Sequence, residues 1–231
     1  MRPGLRVIMI NKDTKIYCSF SSNPGNNGCI FFNSEFKELN MNAIYKSFYS
    51  DDIEKSIEAV KSLDIKGFAL SMPFKIEALD YVDEVEDSAR KIGSINTVVN
   101  KDGYLKGYNT DWVGVKKYFE TRRFDSIYII GNGGFSKSVQ YTCDVMDIKF
   151  SIITRKNWRL IEELDDKILF NATPVHVESN REMYNWAPDG SGCSISGNLV
   201  VDGRPHTDTG REIALYQAKE QFKIYTGVEI D

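Results

Sequence analysis

Four residues suited to a buried strand, Ile127-Tyr128-Ile129-Ile130, run without a spacer into Gly131-Asn132-Gly133-Gly134, and a helix-patterned stretch to about residue 145 follows. Few local folds accept that junction. Glycine tolerates positive φ and lets a backbone turn sharply or press against a ligand. The first amides of the helix then point outward at the positive end of its dipole, which suits an anion such as a diphosphate. The turn departs from G-x-G-x-x-G, because the third glycine follows the second directly and Ser136 takes the last position. A tight structural turn is the plain alternative; the strand before it and the helix after it favour a nucleotide site.

The rest of the chain repeats this strand–helix alternation. Residues 5–10, 15–20, 43–48, 66–71, 148–154, 167–170 and 198–202 read as strands, and 30–39, 53–63, 111–120, 157–164 and 211–225 carry helical apolar spacing. Asp51-Asp52 stands where a cap for the second of those helices belongs. Pro73 forces Met72 into extended geometry and ends the 66–71 strand. Residues 94–100 and 104–108 face each other across Lys101-Asp102-Gly103, a tight-hairpin signal. Repeated βα units predict an α/β fold with largely parallel sheets. The texture changes near Asp111-Trp112, so a domain boundary is expected there, although no flexible linker marks it.

Composition narrows the classes of partner. The formal net charge is −4, so no global field draws the chain to nucleic acid or to anionic lipid. No apolar run approaches the roughly 18–20 residues that span a bilayer. The start of the sequence carries no signal-peptide pattern. Four scattered cysteines (Cys18, Cys29, Cys143, Cys193) and two histidines (His176, His206) offer no zinc-ligand spacing. The expectation is a cytoplasmic, reduced, metal-free protein with neither a nucleic-acid nor a membrane partner; a homodimer is left open.

One strand beyond the glycine turn stands Thr154-Arg155-Lys156. In a dinucleotide fold this position faces the adenosine ribose, where an acid selects NAD and an arginine pairs with the 2′-phosphate of NADP. Arg155, Lys156 and Arg159 are present, with no acid from 155 to 160. If the turn holds a nucleotide, NADP is preferred; a solvated basic helix start is the competing reading.

Ser71-Met72-Pro73-Phe74-Lys75, Ile95-Asn96-Thr97, Gly107-Tyr108-Asn109-Thr110-Asp111 and the glycine turn occur in that order. Together they resemble the shikimate dehydrogenase family, whose pattern reads V-T-x-P-x-K, a-V-N-T, G-x-N-T-D and G-x-G-G-x-x-[RK]. Asn171-Ala172-Thr173-Pro174-Val175 resembles the family's N-A-T-P-x-G segment beside the nicotinamide, and Tyr216-Gln217-Ala218 with Gln221-Phe222 and Tyr225-Thr226-Gly227 its closing helix. The resemblance covers roughly residues 14–227 and is nearer to the shikimate dehydrogenase-like branch than to the biosynthetic core enzyme.

The resemblance implies an N-terminal α/β substrate domain (1–111), a Rossmann-like, doubly wound NADP-binding domain (112–209) and a C-terminal helix (210–231) returning to the substrate domain. It implies NADP-dependent oxidation of a ring hydroxyl in shikimate or a close cyclic hydroxy acid such as quinate. Lys75 would handle the proton and Asp111 would orient it. Ser71, Asn96 and Gln217 would bind the substrate. Gly131, Asn132, Gly133, Gly134, Phe135, Thr154, Arg155, Lys156, Asn171 and Thr173 would hold the cofactor. Each role has a structural competitor: Lys75 as an exposed lysine opening a helix, Asp111 as a helix-start residue.

Three departures stand out. The family's S-x-S carboxylate clamp is missing from its usual place, leaving Ser21 or Ser22, within Ser19-Phe20-Ser21-Ser22, as a shifted clamp. The stretch from Arg155 to Asn171 is too short for the strand–helix unit the family commonly places there. The segment D-x-x-Y-x-P-x-x-T is reduced to Asp202-Gly203-Arg204-Pro205-His206-Thr207, with no tyrosine and no room for a following helix, and His176 stands where glycine is usual. The alternative function is therefore a degenerate dehydrogenase homologue that binds a ligand or partner without efficient catalysis.

Overall fold

The computed structural model describes residues 10–157, 159–173, 193–195, 198–204 and 206–230, and they form two compact units. The expected strand at 5–10, apart from Ile10, and His176 lie outside the described residues, as do Pro174 and Val175.

The first unit comprises the chain through Glu86 together with Ile95–Tyr108 and Ile224–Val228. Its elements are β1 (Lys15–Ser21), α1 (Asn27–Glu38), β2 (Ala43–Tyr49), α2 (Ile53–Ser62), β3 (Gly67–Leu70), a 3₁₀ turn (Glu77–Tyr81), β4 (Glu84–Val85), β5 (Thr97–Lys101) and β6 (Tyr104–Tyr108). They build one sheet in the order β2-β1-β3-β5-β6-β4. β1 is parallel to β2 and to β3, whereas β3–β5 and β5–β6 pair antiparallel. The interior place of β1 explains its composition, since Tyr17, Cys18 and Phe20 are all buried. α2 forms because Ile53, Ile57 and Val60 fall on one buried face and the Asp52 carboxylate accepts from Lys55 N at 3.0 Å, capping the first turn. The β5–β6 hairpin closes through Asp102 and Gly103, both at positive φ (54° and 91°), as a two-residue loop requires. Aromatic rings fill the space under α1: Phe32 stacks on Tyr45 at 4.5 Å between ring centroids, and Tyr225 stacks on Tyr17 at 5.1 Å.

The second unit comprises Asp87–Ser94 and Asn109–Lys223, with the last residues of the chain. Its elements are α3 (Asp87–Ile92), α4 (Asp111–Glu120), β7 (Ser126–Ile130), α5 (Gly134–Val145), β8 (Lys149–Ile153), α6 (Leu160–Glu163), β9 (Ile168–Asn171), β10 (Cys193–Ile195), β11 (Asn198–Asp202) and α7 (Asp208–Thr226). The sheet order is β10-β11-β9-β7-β8; β8, β7, β9 and β11 run parallel and β10 pairs antiparallel at the edge. Alternation along β7 explains why both faces are covered. Ile127 and Ile129 enter a core with Val115 and Phe119 of α4 and Val139 and Cys143 of α5, while Ile130 faces Ile153, Ile161, Leu164 and Leu169. Complete burial of such an aliphatic side chain is worth roughly 1.5–3 kcal/mol. This is a Rossmann-like sheet, with β7 flanked by β8 on one side and β9 on the other, so the strand order reverses beside it.

The structure adds detail that the periodicity does not carry. α1 begins at Asn27, three residues before the expected start, and α3, β4 and β10 were not anticipated. Residues 87–94 and 109–111, inside the expected substrate domain, group with the second unit, as does α7 through Lys223; only Ile224–Val228 groups with the first. Hydrogen bonds explain the placement of the first two segments: Ser94 and Asn109 are tied to Gly134 and Ser138 at the start of α5. Among the described residues only the short α6 intervenes between β8 and β9, and β11 leads into α7 with no further helix.

Candidate active site

Sheet topology gathers the first group of candidate residues. Ser21 closes β1 and Ser71 follows β3, so both stand at the carboxyl ends of parallel strands, where open α/β sheets receive ligands. β5 runs the other way, so Asn96, just before it, comes to the same end. Backbone bonds tie the group together: Ser71 N donates to Phe20 O at 3.1 Å, Leu70 N to Asn96 O at 2.8 Å, and Ile95 N to Lys75 O at 2.8 Å. The hydroxyls of Ser21 and Ser22 lie 3.3 and 3.4 Å from Met72 O, and Asn23 N donates to Ser21 Oγ at 3.0 Å. The Met72–Pro73 bond is cis. Asn96 is buried, and its Oδ1 accepts from the Thr97 hydroxyl at 3.0 Å; Lys75 is half-buried, and Ser71 and Ser22 are exposed. The structure thus brings Ser21, Ser22, Ser71, Lys75 and Asn96 to one end of the first unit's sheet.

Asp111 and Gln217 belong to the second unit. Asp111 opens α4 and is buried, with 6% of its surface exposed. The Gln217 amide donates to Thr110 Oγ1 at 2.9 Å, so α7 is tied to the turn that carries Asp111. That turn is also secured from the other side. Asn109 Nδ2 donates to Ser94 O and Oγ at 2.9 and 3.0 Å, Asn109 Oδ1 accepts from Ser138 Oγ at 3.1 Å, and Ser94 Oγ donates to Gly134 O at 3.3 Å. Ser94, Asn109 and Ser138 are all buried, so these bonds form where water does not compete. Asn109 Oδ1 also accepts from Trp112 N at 3.3 Å, so the carbonyl that greets the first turn of α4 belongs to Asn109. Asn109 stands in the sequence within the Gly107–Asp111 motif without an assigned role, and Ser94 and Ser138 belong to none of the motifs. The one available signal was the position of Ser138, one helical turn after Gly134.

The glycine turn sits at the carboxyl ends of β7 and β9. Gly131 has φ +106°, and a Cβ there would come within 2.9 Å of Thr173 Cγ2, so only glycine fits. The space beyond Gly133 is open: a Cβ built on it meets nothing within 4 Å. A diphosphate can therefore approach that backbone, and α5 behind it carries no acid in its first turn. Asn132 and Gly133 are exposed, whereas Gly134 and Phe135 are partly buried. Ser136 Oγ donates to Gly131 O at 2.7 Å and accepts from Gln140 Nε2 at 3.1 Å, which holds the turn's shape where a third glycine is more usual. On the β9 side, Asn171 Oδ1 accepts from Thr173 N and Oγ1 at 3.0 and 2.7 Å.

At the end of β8, Asn157 Oδ1 accepts from Thr154 N at 2.7 Å and Asn157 Nδ2 donates to Ile152 O at 3.1 Å. This closed turn leaves Arg155, Lys156 and Arg159 exposed. The donor set fits a phosphorylated dinucleotide: an open glycine backbone for the diphosphate and three cations beyond β8. Among the described residues no group of three His, Cys, Asp or Glu side chains could hold a metal ion, and no helix is long and apolar enough to cross a membrane.

A Rossmann-like unit with this turn, joined to a second α/β sheet carrying a lysine and an asparagine at its ligand-receiving end, defines a class of two-unit α/β proteins. Within it, residues 28–98 match the family described as Shikimate dehydrogenase substrate binding domain. The chain is 40% identical to the Shikimate dehydrogenase (NADP(+)) of Pyrococcus furiosus, over 96% of this chain and 94% of that one. It is 32% identical to the Shikimate dehydrogenase-like protein of Haemophilus influenzae, over 94% and 93% of the two chains. The crystal structure of shikimate dehydrogenase from Aquifex aeolicus superposes with a TM-score of 0.78 at 27% identity, covering 96% of each chain. The chain belongs to the shikimate dehydrogenase family.

Proposed function

We propose that this protein is an NADP-dependent oxidoreductase that interconverts shikimate and 3-dehydroshikimate, with quinate as the nearest alternative substrate. The observation that carries the proposal is the match along nearly the whole chain to a Shikimate dehydrogenase (NADP(+)), with a lysine and an asparagine at one end of the first unit's mixed sheet and a glycine turn at the carboxyl ends of β7 and β9. NADP⁺ supplies the hydride acceptor. Lys75 takes the proton of the substrate hydroxyl as the hydride leaves, and returns it in the reverse direction. Asp111 orients that hydroxyl and the lysine. Asn96, Gln217 and Ser71 bind the ring hydroxyls, and Ser21 or Ser22 receives the carboxylate. Arg155, supported by Lys156, pairs with the 2′-phosphate, which sets NADP apart from NAD.

The test is turnover by purified protein, read as NADPH formation with shikimate and with quinate, beside Lys75→Ala. The variant is expected to lose about 10²–10⁴-fold in kcat, the usual worth of a general acid–base group, with NADP⁺ binding unchanged. Equal turnover in variant and parent defeats the assignment. The shortened stretch between β8 and β9 favours one other reading, a ligand-binding homologue without catalysis. Shikimate binding with neither nucleotide binding nor turnover would select it.

A further inference from the structure

Asp202 ends β11, and Arg204 follows two residues later, where the family-like segment is cut short. Both are buried, with 1% and 5% of their surfaces exposed. The guanidinium grips the carboxylate closely: Nε lies 3.0 Å from Oδ1 and 2.9 Å from Oδ2, Nη2 bonds Oδ2, and the Arg204 backbone N adds a bond to Oδ1 at 3.0 Å. Removing two charges from water costs several kcal/mol per ion, and replacing such a pair by apolar side chains of the same size is often neutral or stabilising, which leaves the pair a geometric task.

That task is visible in what the carboxylate holds. Asp202 Oδ1 also accepts from Asn171 Nδ2 at 3.4 Å, and Asn171 Oδ1 accepts from both Thr173 N and Thr173 Oγ1. The Thr173 methyl in turn lies against Gly131, the first glycine of the turn. Gly203, between the paired residues, donates to Asn171 O at 3.0 Å, and a Cβ there would come within 2.6 Å of the Phe135 ring. The Thr207 hydroxyl, 2.8 Å from Asp202 O, accepts from Gly210 N and so starts α7 from the same point. A hydrogen-bonded line therefore runs from Arg204 through Asp202 and Asn171 to Thr173, and a packing contact carries it on to the glycine turn.

Resting on the dinucleotide reading above, the geometry points to Arg204 as a positioning residue for the cofactor: through Asp202 and Asn171 it fixes Thr173 and the wall of the crevice between β7 and β9. It touches no reacting atom. The pair fixes this wall in a chain that passes from β11 into α7 with no intervening helix.

The test compares the full chain with Arg204→Met and Arg204→Lys, each measured well below its melting midpoint. Amide hydrogen exchange without ligand is expected to quicken at residues 168–173 and at the glycine turn in the Met variant, and to stay unchanged in β1 of the other unit. NADP⁺ affinity is expected to fall about two- to thirtyfold, the range for a residue that acts through a packed network, while KM for shikimate at saturating NADP⁺ holds. Lysine keeps the charge without the planar fork, so Arg204→Lys should fall in between, and it carries the comparison if the Met variant does not fold. Unchanged exchange at 168–173 overturns the inference, as does exchange that quickens equally throughout the chain. A parent chain that binds no NADP⁺ refutes the cofactor reading instead, and the exchange comparison still decides whether Arg204 holds residues 168–173 and the glycine turn in place.

Discussion

Arg155 carries its charge into solvent because Thr154 and Asn157 close on each other behind it, and no nearby acid in the sequence competes for it. Arg155→Gln should therefore weaken NADP⁺ binding while leaving NAD⁺ binding as it was. A hydrogen bond to a charged group is worth about 1.5–3 kcal/mol, or roughly ten- to a hundredfold in Kd, and fluorescence titration with both nucleotides reads the difference. Equal effects on the two nucleotides would mean that Arg155 does not meet the 2′-phosphate. The exposed position of Arg155 just after β8 was legible in the sequence because its signal is local, a basic run after a strand. Asn109 was not. Its importance comes from Ser94 and Ser138, which reach it from two other segments, and no spacing rule marks residues that meet only after folding.

At the scale of elements, β2 lies at the open edge of the first sheet, and α1 closes that edge with side chains. Asn33 donates to Tyr45 O at 2.9 Å and accepts from Tyr45 N at 2.8 Å, replacing the neighbouring strand that is missing there. Cys29 Sγ accepts from Ser47 N at 3.3 Å, one step further along. Exposed edges of this kind invite pairing with another chain. Asn33→Ala leaves both backbone groups of Tyr45 unpaired, at a cost of about 1–3 kcal/mol, so the urea midpoint should fall and concentration-dependent association should appear by light scattering. An unchanged midpoint would assign the edge's protection elsewhere. The apolar faces of α2 and β7 were readable because one face of each is set by its own period. α3, with six residues, and β10, with three, are too short to carry a period, and tertiary pairing alone makes them regular.

Across the whole molecule, burial sets the response to alkali. The Cys143 thiol, on the buried face of α5, is pushed up to about 12 from its ordinary value of 9.0, and burial raises Cys18 and Tyr45 in the same direction. The folded chain then keeps protons that the unfolded chain releases. Stability from this source is complete below about pH 9 and declines as pH rises towards 12, with a slope of up to about 1.4 kcal/mol per pH unit for each such group. Urea midpoints measured from neutral to alkaline pH should show that decline, and Cys143→Ala should flatten it. A flat profile in the parent chain would contradict the burial of these groups.

Local outcomes were written into the residue order: the strand that breaks at Gly131, the Asp102-Gly103 hairpin, the capped face of α2, and an ordered set of motifs sufficient to identify the family. Each depends on neighbours within a few residues, where backbone sterics and side-chain period act directly. Long-range folding alone brings Ser94 and Asn109 into the glycine-turn unit, seals a sheet edge with Asn33, and links Arg204 to Thr173 through Asp202 and Asn171. Those outcomes turn on which distant groups are buried together, because a polar atom withdrawn from water must find its partner wherever the fold has carried one.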